Sequence, residues 1–280
     1  MEEITKPRGM TMKESVWCFI ETLIIINVAI IPFILVGIIF QHLGLKEARQ
    51  YIEIIGQTIA YIYVIRRTIK KIKVSEEFKL KLQYKPKISQ CICLIFIIMG
   101  HDLIYENSIG IILSYIPISS YIESVFNDIF AVPVVAFISV CLIAPIFEEV
   151  IFRGIILEQL SKKNNIIKSL LVSSLLFGIM HFNIHQGVHA FFIGLIFGYI
   201  YIKTNSLILA MFLHFINNFI NFIFSILDVE SVLETAVKFN PLELIGGIII
   251  LIISFGIFNK IDINPDRKFN FKSREQSLPQ

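Results

Sequence analysis

Six side chains in the second half of this sequence carry groups that can move a proton or hold a developing negative charge. They are Glu148, Glu149, Arg153, His181, His214 and Asn218. Glu149 and Arg153 are four apart, so on a helix they share a face and can pair. Glu148 sits about 100° round the helix from its neighbour and has no such local partner. The spacing predicts a division of labour, with Glu149 and Arg153 structural and Glu148 a free carboxylate aimed at a cavity. Pro145, three residues earlier, can kink that helix and leave a carbonyl unpaired near the site. His214 and Asn218 are again four apart and share one face. A carboxylate, two imidazoles and an amide at one depth would make a hydrolytic site.

The elements that must position these groups are membrane helices. Of the 280 residues, 55% are hydrophobic and only 17% charged, and the mean hydropathy is +0.74. A soluble domain would carry roughly 25% charged residues. Several apolar runs approach the ~20 residues that cross a bilayer as a helix. The fold class expected is all-α, a polytopic membrane helix bundle of about eight transmembrane helices. The spans fall near 16–40, 50–70, 88–113, 131–157, 166–182, 188–203, 206–227 and 241–258. They form a single integral membrane domain over 1–280, with a motif-bearing core at 131–225 and a polar C-terminal tail at 259–280. The first run, Val16 to Phe40, is too long for a signal-peptide core and reads as a retained span. Cys18, Cys91, Cys93 and Cys141 lie in or beside apolar runs and suggest neither disulfides nor zinc.

Charge orients the bundle. With the N-terminus in the cytoplasm and the sides alternating, the cytoplasmic segments hold 21 Lys and Arg and the outer segments 3, with Arg153 inside a helix. The positive-inside rule favours this arrangement, with both termini cytoplasmic in the cell membrane. The basic stretch Arg66–Lys87 reads as a positive-inside anchor. At ~1.5 Å per residue, Glu148 then lies about 18 Å from the cytoplasmic end of its span, His181 about 22 Å and His214 about 12 Å. All three can meet in the cytoplasmic half or near the midplane. A net charge of +3 is too small to suggest nucleic acid as a partner.

Other polar groups have blander readings. His101, Asp102 and Glu106 interrupt the third span and read as water-facing or as an internal polar network, so that span is expected to be broken or tilted. Segment 114–130 is too polar to span and reads as an outer loop or interfacial helix. His185 and His189 continue a spacing of four from His181, but Asn183, Gln186 and Gly187 predict a turn there, making them loop or interfacial histidines. Gly194 and Gly198 form a GxxxG that close helix packing explains. Asn217 and Asn221 read as hydrogen-bonders between helices.

Taken together, Glu148-Glu149-x-x-x-Arg153, Phe177-x-x-x-His181 and His214-x-x-x-Asn218, in order on successive apolar segments, resemble the CPBP intramembrane proteases. This family is also called the Abi or CAAX prenyl endopeptidase type II family. The resemblance covers about 131–225. It implies an eight-helix bundle with its site inside the membrane, open toward the cytoplasm. Glu148 would act as general base on water, assisted by His181, and His214 and Asn218 would stabilise the oxyanion. It further implies a membrane-embedded or lipidated peptide or protein substrate, and a link to peptide processing or bacteriocin self-immunity. No cofactor is expected. If a metal took part, Glu148, His181 and His214 would be its ligands, although no HExxH spacing is present. A non-catalytic immunity or regulatory partner remains an alternative. So does a transporter, but the internal repeat with matching broken helices that such proteins often show is not found.

Overall fold

The computed structural model describes residues 9–74, 77–227 and 239–261. Among these, ten helices follow one another: α1 (Met12–His42), α2 (Lys46–Lys73), α3 (Ile88–Glu106), α4 (Ile109–Ser114), α5 (Ser120–Phe130), α6 (Pro133–Lys163), α7 (Ile166–Ile179), α8 (Ile184–Thr204), α9 (Leu207–Ile226) and α10 (Pro241–Lys260). The chain is a multi-pass helical membrane protein. Helices α1, α3, α6, α8, α9 and α10 are long and apolar enough to cross a bilayer. The other two expected spans are present as helices but do not qualify on those grounds. Helix α7 is apolar with only 14 residues, and α2 carries Arg49, Glu53, Arg66 and Arg67 along its length. Most of the tail expected at 259–280 lies outside the described residues.

Local sequence accounts for the boundaries. Thr11 caps α1 in a reciprocal box: its hydroxyl accepts from Glu14 N at 3.2 Å, and Glu14 Oε2 accepts from Thr11 N at 2.7 Å. Gly44, at φ +83°, turns the chain between α1 and α2, which pack as a hairpin. The third span is indeed broken, because α3 stops at Glu106 and α4 starts afresh at Ile109. Asn107 at the break donates to Leu103 O and to Glu243 Oε2, both at 3.0 Å, and accepts from Asn240 N at 2.8 Å. This side chain therefore fastens the end of α3 to the start of α10. The same two helices approach closely at two glycines: a Cβ on Gly100 would sit 3.0 Å from Gly247 O, and one on Gly247 would sit 3.0 Å from Gly100 O. Segment 114–130 contains the amphipathic α5, which has no buried residue.

Apolar side chains face two ways, as a bundle in lipid requires. Ile24, Val28, Ile31, Leu35 and Ile39 of α1 and Ile245, Ile249, Ile252 and Ile253 of α10 are exposed on the periphery. Leu94, Ile97, Ile98, Phe152, Ile156, Phe177, Phe197 and Leu213 fill the centre. The four cysteines are free thiols.

Helix α6 is the unusual element. Two stretches of wider π winding, Phe137–Ile143 and Val150–Leu157, flank an α-helical turn, Ala144–Glu149, that holds Pro145 and both glutamates. In the π register each N–H bonds five residues back, and Ala144 N duly bonds Ser139 O. The next donor in that register would be Pro145, which has no N–H. The Val140 carbonyl is thereby left over, and Asn218 Nδ2 of α9 donates to it at 2.8 Å. The stranded carbonyl expected from Pro145 thus has a specific partner on another helix.

Candidate active site

Helices α6, α7 and α9 converge around the Phe177 ring. Its centroid lies 5.3 Å from the His181 ring and 5.5 Å from the His214 ring, nearly perpendicular to both. The Arg153 guanidinium lies 4.4 Å from the same centroid and 5.3 Å from that of Phe197. The phenylalanine of the Phe-x-x-x-His pattern therefore packs edge-on against two histidines and covers a buried cation.

Glu149 and Arg153 form the frame of the site. They are 0% and 1% exposed, so neither charge can be satisfied by water. Arg153 Nη1 donates to Glu149 Oε1 at 2.7 Å, and Nη2 donates to Gly194 O of α8 at 3.0 Å. A Cβ on Gly194 would lie 3.1 Å from Arg153 Nη2 and 3.1 Å from Phe177 Cδ1, so the bare glycine makes room for the guanidinium. The GxxxG pair packs closely as expected, and one of its glycines also supplies an acceptor. Glu149 does more than pair with Arg153. The same Oε1 also accepts from His214 Nδ1 at 3.0 Å, which fixes the ring orientation and leaves Nε2 facing the site.

The groups expected to do chemistry gather around this frame. Glu148 is buried, and its Oε2 lies 3.9 Å from His214 Nε2. That gap is too long for a direct hydrogen bond and suits an intervening water. His181 Nδ1 donates to Phe177 O at 3.0 Å, so in the neutral ring Nε2 is the nitrogen that can accept a proton. Asn218 accepts from Asn217 Nδ2 at 3.0 Å and donates one N–H to Val140 O. It is partly committed to structure, and the second N–H of its amide is the one left for a ligand.

A family model for type II CAAX prenyl endopeptidases of the Rce1-like kind matches residues 130–220. That interval contains every residue of this constellation. Over that interval the chain is similar to this endopeptidase family. It is also similar to YdiL of Bacillus subtilis (strain 168), which carries the provisional name of a membrane peptidase, at 31% identity over 112 residues, 40% of this chain. The match spans 46% of YdiL, a little under half its length. A second relative is the membrane-embedded CAAX protease MroQ of Staphylococcus aureus (strain USA300). It is 26% identical over 212 residues, 72% of this chain and 84% of MroQ. No solved structure matches.

Some positions differ from what residue order predicts. His185 and His189 are not in a loop. The chain turns earlier, at Phe182 (φ 54°), and Asn183 then caps α8 by accepting from Gln186 N at 2.8 Å. Among the described residues the amides of Asn217 and Asn221 bond within α9 rather than between helices: Asn217 donates to Asn218 Oδ1 and Asn221 to Asn217 O.

One neighbour of Glu148 went unread. Tyr61 of α2 is buried, stacks on Phe147 at 5.2 Å, and faces the Glu148 carboxyl and the Gln57 amide. Arg49, Glu53, Gln57 and Tyr61 step by four along one face of α2. The first three of them line a cavity of about 560 Å³ with Asp128 of α5 and Ser139 of α6. The polar stripe in an otherwise apolar stretch was the signal available, and it runs about 18 Å toward Glu148.

Proposed function

We propose that this chain is an intramembrane endopeptidase in which Glu148 activates water for attack on a peptide bond. The observation that carries the reading is the pairing of Glu148 with His214 across 3.9 Å. The two lie on different helices, inside the segment matched by the endopeptidase family. A water held in that gap gives its proton to Glu148 as it attacks. His181 assists from its Nε2. His214 Nε2–H and the second N–H of Asn218 stabilise the tetrahedral oxyanion. Donation from His214 Nε2 requires a ring protonated at both nitrogens, and Glu149 on Nδ1 balances that charge as the acid does in a Ser-His-Asp triad.

The proposed substrate is a membrane-embedded or lipid-modified peptide or protein, because the site residues sit on apolar helices, two of which, α6 and α9, are long enough to cross a bilayer. Processing of peptides or bacteriocin self-immunity is the cellular setting that fits. No metal is assigned to the reaction. If zinc takes part, Glu148, His181 and His214 are the residues that would hold it.

The test compares the membrane peptidome of cells carrying wild type or Glu148→Ala at matched expression. Peptides and their new termini should depend on wild type alone. An identical peptidome, with the phenotype retained in Glu148→Ala, would favour a non-catalytic immunity or regulatory partner.

We further propose that both termini are cytoplasmic, supported by the 21 to 3 split of basic residues. Reporter fusions at residues 80, 163 and 280 should report cytoplasm, and one at 122 the outside. An outside signal at 163 would invert the helix that carries Glu148 and break this orientation.

A further inference from the structure

A second polar cluster, made of residues other than those around Glu148, lies where the C-terminal half of α3 meets the N-terminal end of α8, with His189 near enough to His181 for their charges to interact. His101 Nδ1 lies 2.9 Å from Asp102 Oδ1, and His189 Nε2 lies 3.5 Å from the same oxygen. One donor atom from each of the three side chains falls within 4.8 Å of the other two. Around a tetrahedral ion with ligand bonds of 2.0–2.1 Å, neighbouring donor atoms are about 3.3 Å apart. The trio therefore stands close to ligating geometry already. His101 is buried and the other two are partly buried. The rings are held in place by Tyr105, which lies 5.9 Å from His101 and edge-on to His189 at 4.7 Å. The Tyr105 hydroxyl is itself buried without a hydrogen-bond partner among the described residues. Glu106, one turn beyond Asp102, shares its helix face.

We propose that His101, Asp102 and His189 bind a divalent transition metal of the zinc type, at a site separate from Glu148, and so tie α3 to α8. Two imidazoles and a carboxylate are a borderline donor set that suits zinc better than magnesium or calcium. Three protein ligands leave a fourth position for water, and the unpartnered Tyr105 hydroxyl is the group nearby that such a water can satisfy. The site has a consequence for the reaction. Five residues after His189, α8 offers the Gly194 carbonyl that holds Arg153. Removing the metal loosens that helix, so loss of activity on chelation would not place a metal at Glu148. The proposal stands independently of the protease reading.

The competing account is a metal-free network, with Asp102 satisfied by two imidazoles, and it binds no zinc. Full-length protein in detergent, stripped with a chelator and dialysed, is titrated with Zn²⁺, and bound metal is measured per chain. One zinc is expected in wild type and in Glu148→Gln. His189→Ala and Asp102→Asn should each lower the affinity at least about tenfold. Asp102→Asn preserves shape and hydrogen bonding, so its loss of zinc does not reflect failed folding, which thermal unfolding of each variant checks. Cobalt loaded in place of zinc should show the visible absorption of a four-coordinate site in wild type and Glu148→Gln, and not in His189→Ala or Asp102→Asn. A wild type without stoichiometric zinc, or zinc lost in Glu148→Gln and kept in His189→Ala, overturns the assignment.

Discussion

Glu148→Gln is expected to cut peptide hydrolysis by roughly 10²–10⁴-fold, the range set by removing a general base, while the protein folds as before. The amide keeps the shape of the carboxylate but cannot take a proton from water. Folding should survive because no buried cation depends on Glu148: Arg153 pairs with Glu149 and Gly194, and Glu148 stands 3.9 Å from its nearest imidazole nitrogen. Asn218→Ala is the informative comparison. Loss of one oxyanion donor costs roughly 10²–10³ in rate. That variant also strips the Val140 carbonyl of its partner, which adds about 1–3 kcal/mol of destabilisation. The measurement is turnover of a membrane peptide by purified protein, with thermal unfolding of the same samples. Near-normal turnover by Glu148→Gln would remove Glu148 from the reaction.

Glu149→Ala should fail in the opposite way, by loss of the protein itself. Breaking a fully buried ion pair by removing one partner costs about 3–5 kcal/mol, a large part of a typical folding stability. Here the Arg153 charge would keep the Gly194 carbonyl, two aromatic faces and the neighbouring Glu148 charge, with no carboxylate bonded to it. His214 Nδ1 would lose its acceptor as well. The expected result is a strongly reduced amount of folded protein and a lower unfolding temperature, neither of which Glu148→Ala shows. Replacing both partners, Glu149→Met with Arg153→Met, should recover part of the stability, because no unpaired charge is left behind. Equal stability of Glu149→Ala and wild type would refute the framing role of this pair.

Several features could be read from residue order because they depend on local chemistry. Apolar runs near bilayer length specify helices wherever they occur, since backbone groups in lipid must bond within their own segment. The spacing of four that joins Glu149 to Arg153 acts within one helix, and the structure pairs them at 2.7 Å. Pro145 implies an unpaired carbonyl from its missing N–H alone. The broken third span was likewise visible in its interrupting charges.

What residue order could not decide was contact between helices, which depends on packing angle, depth and rotation. Nothing in the spacing says that Glu149 serves His214 as well as Arg153, that Phe177 packs against two histidines, or that Tyr61 from a helix almost ninety residues upstream faces Glu148. The turn before α8 was misplaced because Asn183, Gln186 and Gly187 are all turn formers. The left-handed backbone at Phe182 and the cap by Asn183 decide where the helix begins. That shift of a few residues puts His189 on a helix, and only tertiary packing then brings it to His101 and Asp102 on α3, 87 residues away from Asp102 in the chain. A buried polar group must find a partner wherever the fold supplies one, so its partner is a property of the packed bundle rather than of its neighbours in the chain.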